Sequence, residues 1–180
     1  LAGGIMQKGW QCGMLWGATL AVGTESYRRC NDRNQAIGLA IKATQKLIES
    51  FSLRTETVNC RDITHCKMDS FFGMTKFMIK TMLKGMENST CFILAEKWAP
   101  EAIESAKEGL RFQQKELPKK SISCASEVVR KMGGSDEEMA AVAGFAGGLG
   151  LSGNACGALS AAIWKNSITY SRIHPKKSTW

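Results

Sequence analysis

Cysteine is the residue type with which this chain could do chemistry, and one of its seven cysteines recurs in a repeated setting. Residues 2–18 read AGGIMQKGWQCGMLWGA and residues 146–162 read AGGLGLSGNACGALSAA. At a constant offset of 144 they share Ala2/Ala146, Gly3/Gly147, Gly4/Gly148, Gly9/Gly153, Cys12/Cys156, Gly13/Gly157, Leu15/Leu159 and Ala18/Ala162, eight identities in seventeen positions. A cysteine kept in a repeated glycine-rich approach to an apolar run points to thiol chemistry or metal ligation. At a helix start, free backbone N–H groups and the helix dipole favour thiolate over thiol. That predicts lowered pKa values and a nucleophilic or ligating sulfur at Cys12 and Cys156.

The other cysteines are Cys30, Cys60, Cys66, Cys91 and Cys124. An odd count does not suit a closed secreted disulfide framework, and a reducing, cytoplasmic compartment is the expectation. No CxxC, c-type haem or zinc-ribbon spacing occurs, so any metal site must be assembled from cysteines far apart in sequence. Cys30 follows Arg28 and Arg29, a basic setting that would lower its pKa, and is read as structural. His65 beside Cys66 could act as a mixed ligand, although a histidine in a polar loop is more often simply solvated. No Ser–His–Asp set or paired carboxylates stand out. The glycine-rich loops do not follow strands, as a dinucleotide fingerprint requires.

Helices must carry these sulfurs. Asn31 or Asp32 caps a helix over 33–53, with Ala36, Ile37, Ala40, Ala43, Leu47 and Phe51 at helical spacing. Residues 54–68, with Cys60 and Cys66, read as loop or a short turn. Asp69 or Ser70 opens a helix whose Phe71, Phe72, Met74, Phe77, Met78, Met82 and Leu83 suggest a core stripe, and Gly85 ends it. Residues 90–113 are helical, with Pro100 expected to kink or divide them. Residues 121–132 are helical, with Cys124 in the first turn. Ser135-Asp-Glu-Glu138 is a capping box opening a helix to about Phe145. A last helix runs from about Cys156 to Asn166. The fold class is all-α.

The cysteine elements resemble a family of redox-active proteins named for its pattern, C_GCAxxG_C_C. Gly3 to Gly17, with Cys12, is similar to the family's CGAxxG element. Asn59-Cys60-Arg61-Asp62 resembles its third element, and Cys91 with the helix behind it resembles the fourth. In the second half, Ser123-Cys124-Ala125 resembles the first element and Phe145 to Ala158 the second. Met14 and Ala161 depart from the pattern. The resemblance implies a tandem duplication lacking elements at both ends: a helical bundle of two related units, 1–113 and 121–180, joined by a linker at 114–120 without large core residues. It also implies a three-sulfur metal site of Cys12, Cys60 and Cys91, completed by a lost cysteine, Cys66 or Cys124. Such a site would hold an iron–sulfur cluster or zinc. Cys124 and Cys156 would be half of a second site.

The leading reading is a redox-active cysteine protein. The alternatives are a metal-free thiol–disulfide oxidoreductase, using pairs such as Cys124 and Cys156, and a helical interaction module with buried cysteines. The partner implied is a redox protein, and a second copy of the chain is a further candidate. Net charge is +8, but the lysines and arginines are spread along helix faces without an aromatic platform, so no nucleic acid is expected. Ala140 to Trp164 is free of charge yet interrupted by six glycines, so no membrane insertion is expected. The start at Leu1, inside a motif, predicts that the natural N-terminus lies upstream.

Overall fold

A computed structural model of the chain describes residues 1–85, 87–112, 117–118 and 120–175. It is all-α, with no strand among the described residues. The helices are α1 (Gly13–Arg29), α2 (Arg33–Thr55), α3 (Cys60–Thr64), α4 (Phe71–Lys84), α5 (Thr90–Gly109), α6 (Cys124–Lys131), α7 (Asp136–Ala141) and α8 (Gly157–Ile173). A 3-10 turn at Ala143–Phe145 follows α7.

Local chemistry sets most of the helix starts. Asp32 accepts from Gln35 N–H, Ser70 from Gly73 N–H and Ser123 from Ser126 N–H. Each side chain satisfies one of the orphan donors at a helix start. Ser135 and Glu138 close the expected capping box on α7. Glu138 then reaches Lys165 (2.6 Å) and Arg172 (2.9 Å) and so ties α7 to α8.

Packing follows from small residues at the crossings. A Cβ on Gly23 of α1 would strike the Ala141 and Ala140 carbonyls of α7, so the bare glycine lets these elements touch. Gly109 of α5 sits so close to α2 that a Cβ there would lie 2.6 Å from the Ala43 Cα. The main core holds Leu15, Trp16, Leu47, Phe51, Trp98, Phe145 and Leu149. Trp16 meets Phe145 edge-on at 4.6 Å, and Phe51 meets Trp98 at 4.8 Å. Each such aromatic stabilises the fold by about 2–3 kcal/mol through burial alone. The core draws on residues before 113 and after 121 alike.

Four sequence expectations change. Residues 54–68 contain α3, one turn too short for periodicity to reveal. Of the two expectations for Pro100, division is excluded, since α5 is one helix through it. Leu117, inside the expected linker, is buried in the core; residues 114–116 and 119 of that linker lie outside the described residues. α4 buries no residue, so its apolar stripe is surface and not core. No helix among the described residues is long and apolar enough to cross a membrane.

The sequence repeat is also a repeat of conformation. Residues 3–7 all have positive φ, between 50° and 70°, and so do residues 147–151, between 51° and 80°. The hydrogen bonds match in register: Ile5, Gln7 and Gly9 N–H donate to Leu1, Ala2 and Gly3 carbonyls. Leu149, Leu151 and Gly153 donate to Phe145, Ala146 and Gly147. Both segments are left-handed turns, a conformation that costs about 1–2 kcal/mol at each non-glycine residue. Ile5 and Leu149, at the same place in the two turns, are both buried, and that burial offsets part of the cost. Each turn leads into a cysteine N-cap and then a helix of 17 residues.

Candidate redox-thiol site

The first left-handed turn delivers residues 9–12 alongside residues 58–61. Gln11 and Asn59 form an isolated antiparallel bridge. Cys12 N–H donates to the Val58 carbonyl and Cys60 N–H to the Trp10 carbonyl, both at 2.8 Å. Arg61 locks the same join, donating from its backbone to Gly9 (3.1 Å) and from its guanidinium to Lys8 (3.0 Å). Cys12 caps α1 and Cys60 is the first residue of α3, so the bridge fixes both sulfur-bearing helix starts together. Beneath it, Gln11 is fully buried and its amide donates to the Gly148 carbonyl in the second left-handed turn (2.8 Å).

Cys66 and Cys91 join them. Cys60, Cys66 and Met68 form a small apolar cluster, covered by Met74 and Phe77 of α4. Burial pushes the Cys60 thiol up to about 12, and the neighbouring Cys12, Cys91 and Cys66 sulfurs, which resist a further negative charge among them, push in the same direction. Burial likewise raises Cys12, helped by Cys91 and opposed by the Met14 and Leu15 amides. Neither amide closes a capping hydrogen bond on the sulfur. Burial also raises Cys91. The expectation that the helix start makes Cys12 a ready thiolate is therefore corrected. The amides pull in the expected direction, but desolvation is larger. Cys30 is corrected in the same sense, being raised by burial and then by Asp32 despite its two arginine neighbours.

The seven thiols are all free. Cys12, Cys60 and Cys66 are buried and Cys91 half-buried, whereas Cys124 and Cys156 are exposed at the starts of α6 and α8. Cys12, Cys66 and Cys91 are thus the sulfur neighbours of Cys60. Cys124 and Cys156 are not among the thiols that act on Cys60. His65 ends α3 in a left-handed conformation (φ 53°) and is exposed. It lines an open cleft of about 820 Å³ between α3 and α5, with Thr57, Asp62, Thr90 and Lys97. Sequence reasoning missed this cleft, whose lining comes from segments with no shared motif.

Among the described residues no three Cys, His, Asp or Glu side chains are grouped so as to hold an ion. Cys12, Cys60 and Cys91 are neighbours without being a ligand set in this arrangement.

Residues 1–104 match the family model described as "Putative redox-active protein (C_GCAxxG_C_C)". The chain belongs to this family. The matched span contains all four gathered cysteines and ends before Cys124 and Cys156. Comparison with curated proteins and with solved structures found no match. Family membership gives the gathered thiols a redox setting and leaves their reaction open.

Proposed function

We propose that Cys12, Cys60, Cys66 and Cys91 form a thiol redox site that reduces a disulfide on a partner protein. The observation that carries this reading is that Cys60 has Cys12, Cys66 and Cys91 as sulfur neighbours, all free and all inside the family-matched span. Cys91, the most accessible of the four, is the entry point. Its thiolate attacks the partner disulfide, forming a mixed disulfide and releasing one partner sulfur. Cys12 or Cys60 then attacks the Cys91 sulfur and releases the second. Two thiols here become one disulfide, and their two electrons and two protons leave on the partner as two thiols. Thiols held in the protonated form make the first attack slow at neutral pH and faster as pH rises, because the thiolate is the nucleophile.

An anaerobic preparation equilibrated against dithiol–disulfide buffers of graded potential tests this. The expected result is a reversible two-electron couple, colourless protein, and a disulfide joining Cys91 to Cys12 or Cys60 in peptide maps. Cys91→Ser should abolish the couple. A brown sample holding iron and sulfide would replace this reading with a cluster. Thiols that stay reduced across the whole range would remove the redox role.

A further inference from the structure

Two apolar surfaces of this chain have no partner among the described residues. The first is the outer face of α4. Phe71, Phe72, Met82 and Leu83 are each at least 80% exposed. Met74 and Phe77, on another face of the same helix, hold α4 to its own chain against Cys60, Cys66 and Met68. The second surface is an apolar groove of about 360 Å³ between α1 and α5, floored by Leu47 and Trp98 and walled by Ala18, Ala21, Ala99 and Ala102. The groove is built from small side chains and α4 presents large ones, the pairing expected for a helix lying in a groove.

We propose that α4 of one copy seats in the α1–α5 groove of a second copy, and reciprocally, to make a two-fold dimer. Three observations select this occupant. The exposed face points away from the chain that anchors α4, so the anchoring contacts of Met74 and Phe77 survive docking onto a neighbour. The charges are complementary: α4 carries Lys76, Lys80 and Lys84 with no acid, while on α5 Glu101, Glu104 and Glu108 already pair with Arg54, Lys107 and Lys46 and leave Glu96 to meet a lysine of the neighbour. Glu96 on α5 has no ion-pair partner among the described residues. Each copy also owns one helix and one groove, so a closed isologous pair leaves neither surface bare.

Sedimentation equilibrium of the whole chain from about 1 to 100 μM tests the proposal. A dimer is expected. Met82→Glu on the helix and Ala99→Arg in the groove should each weaken it at least about tenfold. Both sites are exposed, so far-UV circular dichroism should be unchanged; Leu83→Glu and Ile103→Arg serve if either variant loses helix. Carbodiimide cross-linking of a mixture of heavy- and light-isotope protein should join α4 lysines to α5 glutamates across heavy and light chains. A monomer at 100 μM, a dimer indifferent to either variant, or cross-links confined to one chain would each overturn the proposal. The last outcome would mean that α4 covers its own groove.

Discussion

At the scale of single residues, burial decides what the clustered thiols can do. Cys60 illustrates it: a sulfur at a helix start is held up to about 12 by desolvation and by three sulfur neighbours. The consequence for stability has a definite sign. The folded state holds the Cys60 proton more tightly than the unfolded chain, where the ordinary value is 9.0. Its contribution is fully present below pH 9 and is lost as pH rises from 9 to about 12. Urea unfolding midpoints between pH 8 and 11 should fall more steeply above pH 9 for the native chain than for Cys60→Ser. Equal slopes would show that the thiol proton carries no linkage. Two buried side-chain oxygens, Gln11 Oε1 and Asn59 Oδ1, immediately before Cys12 and Cys60 in the chain, lack partners among the described residues. Acceptors left without donors disfavour further negative charge nearby, which agrees with thiols that keep their protons.

At the scale of elements, glycines within one helix play opposite parts. Gly23 faces the α7 carbonyls with no room for a methyl group, whereas a Cβ on Gly17 would meet nothing within 4 Å. Gly23→Ala should destabilise the fold by about 1–3 kcal/mol, through forced separation of α1 and α7. Gly17→Ala should stabilise it by about 0.5–1 kcal/mol, through the lower backbone entropy of alanine in a helix. Thermal unfolding of the two variants checks this, and shifts of the same sign would contradict the assigned α1–α7 contact. The starts of α2, α4 and α7 were legible because Asp32, Ser70 and Ser135 are capping residues ahead of periodic segments. α3 was not, since five residues show no period. The α4 stripe was legible as amphipathic but not as exposed, because core and interface demand the same spacing.

At the scale of the whole molecule, the all-α class and the family followed from periodicity and from the cysteine pattern around Cys12, Cys60 and Cys91. What did not follow was which sulfurs meet. Spacing gives no route from Cys12 to Cys60, because their approach depends on the Gln11–Asn59 bridge and on the left-handed turn before it. That turn was itself hidden. Its positive φ values fall on Ile5, Met6, Gln7, Leu149 and Leu151, residue types that local preference assigns elsewhere. Each turn closes tightly on the chain six residues on: a Cβ on Gly4 would strike Trp10, and one on Gly148 would lie 2.6 Å from Asn154, the residue at the same offset of 144.

The two left-handed turns furnish the chain with its own calibration standard. Cys12 and Cys156 cap their helices with similar backbone, φ −56° and −59° and ψ 138° and 116°, after turns of the same hydrogen-bond register. They differ in cover, since Cys12 is 6% exposed and Cys156 is open to solvent. With similar backbone at the two caps, their alkylation rates in one sample should report the folded surroundings, burial and the Cys91 neighbour at Cys12 against open solvent at Cys156. Iodoacetamide labelling read by mass spectrometry should modify Cys156 well before Cys12 in the folded protein. In strong denaturant the two rates should converge. A persistent gap after unfolding would mean that the neighbouring residues, and not enclosure, set the difference.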